Sequence, residues 1–142
     1  MSEELQYPQI EAALQTMREN IDQTWTVAAL ARAANMSRTV FAERFKQATG
    51  WSPLEYLTLL RMQRARDLLR DPRTQLVTIA IAVGYASHGA FHRAFRRTTG
   101  FTPGEFRQMA SDVRESRTAA AGYKSVSTNS PTWLLSWSPT RR

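Results

Sequence analysis

Between residues 88 and 97 the chain carries two histidines, three arginines and no acid. His88, His92, Arg93, Arg96 and Arg97 recur at helical spacing beside two phenylalanines, Phe91 and Phe95. Guanidinium groups offer a planar fork of donors that suits phosphate oxygens and guanine edges. A solvated helix face normally mixes charge signs, so a face of one sign points toward an anion. Fifty residues earlier stands a weaker version: Arg38, Thr39, Ala42, Glu43 and Lys46 around Phe41 and Phe45. Glu43 can accept from cytosine N4, but near phosphates it opposes binding, and it can equally pair with Arg38 or Lys46.

Other chemistry has little to stand on. His88 and His92 have the i, i+4 spacing of a chelating pair, but there is no third histidine, no cysteine and no acid close in sequence. No metal site and no cofactor are therefore expected. Glu55 and Glu105 each follow a proline by two residues at a helix start, which suits capping better than acid–base catalysis. No glycine-rich phosphate loop, nucleophile elbow or carboxylate pair stands out, so no enzyme is expected. The absence of cysteine excludes disulfide frameworks, thiolate zinc sites and iron–sulfur clusters. No apolar run approaches the roughly 18–20 residues of a membrane span. A cytoplasmic protein with no membrane partner is the expectation.

The charge is distributed unevenly. The chain has 142 residues and a formal charge of +7. Residues 1–26 hold five acids and one arginine, whereas residues 27–142 hold 18 basic and 7 acidic residues. Only Lys46 and Lys124 are lysines. A hydrophobic content of 42% is enough to bury a core.

Apolar periodicity of 3–4 residues predicts helices throughout and no strand. A first helix spans about 8–20, opened by Pro8. A second runs from 27 to 34 behind the cap Thr26, and a third from 38 to 48 between Ser37 and Gly50. Ser52, Pro53 and Glu55 open a fourth, of roughly 18 residues and about 27 Å, ending near Asp71-Pro72. Further helices are expected at 76–83, from Ser87 to about Thr99, and at 103–113. Residues 114–142, rich in Ser, Thr, Ala and Pro, are expected to form a mostly disordered tail. Its cluster Trp133, Leu134, Leu135 and Trp137 is either incidental or a docking anchor.

The two stretches belong to an internal repeat. SRTVFAERFKQATGWSPLEY (37–56) and SHGAFHRAFRRTTGFTPGEF (87–106) share seven of 20 positions at an offset of 50. Upstream, Leu30-Ala31 matches Ile79-Ala80, with the second turn one residue longer. Each unit is a short helix, a tight turn and a serine-capped longer helix, the helix-turn-helix signature. Ala31, Ala33, Ala80 and Ala82 are expected to let the paired helices approach, and the phenylalanines to face the core.

These residues resemble the AraC/XylS-type bacterial transcription regulators. The stretch Ile79–Arg107, IAIAVGYASHGAFHRAFRRTTGFTPGEFR, is similar to the family's C-terminal signature. Gly84-Tyr85, Ser87, Phe91, Arg93, Phe95, Gly100, Thr102-Pro103 and Phe106-Arg107 are in place. The linker Leu59–Leu69 resembles the family's connecting helix, with Arg61, Ala65 and Leu68-Leu69. The resemblance covers about residues 8–110. It implies an all-α fold of seven helices: one helix-turn-helix subdomain at 1–52, a rigid linker helix at 53–71, and a second subdomain at 72–113. It also implies two recognition helices entering successive major-groove segments, about 34 Å apart on one DNA face. Base-reading positions carry over to Arg38, Thr39, Ala42 and Glu43, and to His88, Gly89, His92 and Arg93. Lys46, Arg96 and Arg97 then take phosphates. Glu43 departs from the family, where many members have Arg.

The expected partners are double-stranded DNA and RNA polymerase, with the protein a monomer on an asymmetric site. About seven residues precede the first helix, so either a small standalone regulator or one half of a larger effector-controlled protein is expected. A nonspecific DNA-associated or protein-docking module remains the alternative.

Overall fold

A computed structural model describes the backbone from residue 7 to 119 and the side chains from 7 to 113. Seven helices occupy this stretch: α1 (Pro8–Glu19), α2 (Val27–Ala33), α3 (Arg38–Thr49), α4 (Pro53–Leu69), α5 (Leu76–Ala82), α6 (His88–Thr99) and α7 (Pro103–Ala119). No strand occurs among the described residues, and the fold is all-α.

Local chemistry sets the helix ends. Thr26, Ser37 and Ser87 each accept the backbone N–H three residues on, at 3.0, 3.3 and 3.1 Å. Each satisfies one of the donors that a helix start leaves orphaned. Gly50 and Gly100 close α3 and α6 in the left-handed region, at φ 85° and 87°. Their N–H groups return to the carbonyls of Lys46 and Arg96. An L side chain at either position would be strained. Glu55 and Glu105 are caps, as their spacing indicates. Ser52 Oγ and Glu55 Oε1 exchange bonds with each other's backbone N–H, and Thr102 and Glu105 repeat the arrangement. Removing the hydroxyl from the α6 cap, Ser87→Ala, is expected to cost about 1 kcal/mol. Urea unfolding checks this, and an unchanged midpoint would show that the cap contributes nothing.

The chain divides into two compact units that meet between Arg61 and Met62, inside α4. In the first, Ile10, Met17, Leu30, Phe41, Phe45 and Tyr56 form the centre of a buried cluster that also takes Leu57 and Leu60 of α4. In the second, Ile79, Val83, Phe91, Phe95 and Phe106 are fully buried with Met62, Ala65 and Leu69 of α4. Each half of α4 is thus core to its own unit rather than a bare spacer. Leu54, in the first turn of α4, lies 41% exposed.

The repeat is visible in the packing. Phe45 meets the edge of Tyr56 at 5.4 Å, and Phe95 meets Phe106 at 5.8 Å. Thr49 and Thr99, both buried, donate to the carbonyls of Phe45 and Phe95 at 2.9 and 2.7 Å. Both helix-turn-helix turns bring the backbone back in the same way. Met36 N–H reaches Ala31 O, and Tyr85 N–H reaches Ala80 O, each at 2.9 Å. Asn35 and Gly84 take the positive φ this turn needs. Ala86 is the extra residue of the second turn.

Two sequence expectations need correction. Ala33 and Ala82 point outward, and the close approach is made by Ala31 with Ala34 and by Ala80 with Val83. The core stripe of each short helix runs i, i+3, i+4, which places Ala33 and Ala82 off it. The last helix also continues to Ala119 instead of ending near 113. Nothing between Ser111 and Ala119 breaks a helix, and Gln108 bonds Asp112 one turn on at 3.2 Å. The remaining tail, with Trp133 and Trp137, lies outside the described residues.

Candidate nucleic-acid interface

The cationic set is spread along α6, from Arg93 to Arg96 and Arg97 in its last turn. Burying Phe91, Ala94, Phe95 and Thr99 turns the opposite face to solvent. His88, Arg93, Arg96 and Arg97 are exposed there, while His92 and Gly89 are half-buried. The two imidazoles lie 6.0 Å apart. The Arg93 side chain folds back toward the helix start, as long side chains on helices do. A Cβ at Gly89 would meet its Nη1 at 3.4 Å. No acid stands on this helix, and its capped N-terminus adds a partial positive charge. The surface is therefore suited to binding a polyanion.

On α3 the corresponding face differs. Arg38, Thr39, Glu43 and Lys46 are exposed, and Ala42 is half-buried. Arg38, Thr39, Ala42 and Glu43 line an open hollow of about 390 Å³ together with Val27, at the start of α2. Most of its lining is apolar. Sequence reasoning did not single out Val27. The only local signal is its place directly after the Thr26 cap, and its position beside α3 follows from the turn. Arg44, likewise unmarked, is exposed on α3 where the repeat places the buried Ala94 on α6.

Two arginines are held by backbone carbonyls within their own units. Arg61 Nε and Nη2 donate to Ile21 O and Gln23 O at 3.0 and 2.7 Å, just past the end of α1. Arg107 Nε donates to Leu69 O at 3.1 Å, and its Nη2 donates to Asp71 O and Thr74 O at 3.1 and 2.7 Å. Each guanidinium satisfies the open carbonyls of a helix end and its following loop. In that loop, the Asp71 carboxyl is held below the usual carboxylate range by hydrogen bonds from the Arg73 side chain and backbone. His, Asp and Glu side chains do not gather in a group of three or more among the described residues. No helix among them is long and apolar enough to cross a membrane.

Two serine-capped helices, α3 and α6, each packed on a short partner helix, define a protein of the helix-turn-helix class. A family model described as a helix-turn-helix domain matches residues 30–109. The chain is 44% identical over 104 residues to the RCS-specific HTH-type transcriptional activator RclR of Escherichia coli strain K12. That match takes in 73% of this chain and 37% of RclR, so the chain spans about a third of that relative's length. Among solved structures, it is similar to a transcriptional regulator with an AraC-type DNA-binding domain from Chromobacterium violaceum. The TM-score is 0.68 at 31% identity, over 73% of this chain and 93% of that one. It is also similar to the DNA-binding domain of AdpA, a global transcriptional factor solved in complex with a target DNA. There the TM-score is 0.69 at 29% identity, over 77% and 96% of the two chains. The chain belongs to the AraC-type helix-turn-helix family of transcription regulators.

Proposed function

We propose that this chain binds duplex DNA sequence-specifically, with α3 and α6 each reading a major-groove segment, and so regulates transcription. The observation that carries the reading is the repeated helix-turn-helix with an acid-free cationic face on α6. In this reading Arg38, Thr39, Ala42 and Glu43 meet bases in one block, and His88, Gly89, His92 and Arg93 in the other. Lys46, Arg96 and Arg97, nearer the helix C-termini, meet phosphates. The activity is binding, not catalysis, exercised in the bacterial cytoplasm. The protein binds as a monomer to an asymmetric site and acts through RNA polymerase. A longer regulator can use the same domain as its DNA-binding part, which the partial coverage of RclR supports.

Selection from a random duplex pool at about 0.15 M salt, where counterion-driven background is suppressed, tests this. The expected product is an asymmetric motif of two blocks about 10 bp apart. Binding without enrichment would overturn sequence-specific reading in favour of a nonspecific module. Two variants then separate the roles. Arg93→Ala is expected to lose about 1–3 kcal/mol on the selected site and to relax choice at one base pair. Arg97→Ala is expected to weaken every sequence alike and lower the salt slope by about one unit. Equal losses for Arg93→Ala on selected and random DNA would remove it from the base-reading set.

A further inference from the structure

The hollow between α2 and α3 sets the first reader apart. Its walls are Val27, Arg38, Thr39, Ala42 and Glu43, and most of its surface is apolar. Val27 and Ala42 are half-buried, while Arg38, Thr39 and Glu43 stand exposed around them. An apolar depression flanked by a guanidinium and a carboxylate is poorly suited to a phosphate. The carboxylate repels the anion, and the apolar surface offers it no donor. A base edge fits better. In the major groove, the 5-methyl group of thymine is the apolar feature among the four base edges. Alanine and threonine methyls are among the groups that pack on it.

We propose that this hollow receives the 5-methyl group of a thymine, and that Val27, outside the recognition helix, is a specificity-determining residue. The inference rests on the DNA-reading function proposed above and gives that reading a chemical identity at its first block. Arg38 and Glu43, at the edge of the hollow, lie where they can hydrogen-bond the flanking base pair, guanidinium to guanine and carboxylate to cytosine. On this account α3 discriminates mainly by shape and apolar contact. The cationic face of α6 discriminates by charge and donors. The glutamate in the first reader then has a reading role instead of standing as a flaw in a phosphate-binding face.

The experiment is a thymine-to-uracil scan through the selected duplex, which removes one methyl at a time and leaves every pairing group in place. Loss of about fourfold in affinity is expected at one or two thymines of a single block, the transfer value of one buried methyl. Val27→Thr keeps the side-chain shape but replaces a methyl with a hydroxyl. It is expected to bring the thymine-to-uracil affinity ratio at those positions close to one, with an unchanged ratio elsewhere. Ala42→Ser serves as the second variant, and a thermal melt confirms that both fold. A merely structural role for Val27 would weaken thymine and uracil duplexes equally and overturn the assignment. So would a site whose uracil substitutions are all silent, or are felt only in the block that Arg93→Ala relaxes. If no duplex is preferred in the initial selection, it is the DNA-reading function that fails.

Discussion

Replacing Phe95 by alanine is expected to destabilise the second unit by about 3–5 kcal/mol, the range for removing a fully buried aromatic ring. Phe95 is wholly buried, its ring tilted against Phe91 at 5.7 Å and edge-on to Phe106 at 5.8 Å. Its backbone carbonyl also accepts the bond from Thr99 that finishes α6. The cavity would therefore sit where α6, its C-terminal cap and the start of α7 are all anchored. A unit of roughly 50 residues has a total stability on the order of 3–8 kcal/mol. The loss is comparable with the whole, so much of the α5–α7 helicity should melt near room temperature. Circular dichroism against urea measures it. Phe95→Leu should recover most of the loss by refilling the volume. An alanine variant with the wild-type midpoint would show that this ring does not hold the unit together.

Arg107→Lys is expected to cost about 2–4 kcal/mol although the charge is kept. Three carbonyls, on Leu69, Asp71 and Thr74, converge on two nitrogens of one guanidinium. Bonds to a charged donor contribute about 1.5–3 kcal/mol each, reduced here because the site is only half-buried and the freed carbonyls can take water. An ammonium is a point donor and cannot reproduce the fork. The melting temperature should fall, while the salt slope of DNA binding at a temperature where the variant is folded should not change. A lowered slope with an unchanged melt would assign Arg107 to phosphate contact instead. Arg61, reaching Ile21 and Gln23 from α4, does the same work in the first unit from a different place in the repeat.

Those two arginines show how far a sequence can be read. Counted with the other basic residues, they add to the positive charge. Nothing within a few residues of either says that it is consumed by the backbone. Its partners lie about 33–40 positions away in the chain. The caps were legible for the opposite reason. Ser37 with Gly50, Ser87 with Gly100, and the Ser52–Glu55 and Thr102–Glu105 boxes close over three or four residues. Their geometry is therefore set by the local chain. The four phenylalanines of α3 and α6 were legible because a ring at i, i+4 on an otherwise polar helix has one apolar stripe to bury.

The sequence by itself determined seven helices in their order, the doubled helix-turn-helix, the family, and the acid-free face of α6. The helices, the doubled motif and that face follow from spacing within a turn or two and from a repeat at fixed offset, and the family from the signature residues that resemble it. Tertiary structure alone decided three matters. It divided α4 between two cores, because Leu57 and Leu60 pack in one cluster and Ala65 and Leu69 in the other. It assigned Arg61 and Arg107 to carbonyls. It also set Val27 beside Arg38, Thr39, Ala42 and Glu43, making an apolar hollow that no single helix contains. Each depends on which surfaces meet after the chain turns back on itself. Side-chain periodicity fixes which residues share a face of one helix, but not what that face will touch.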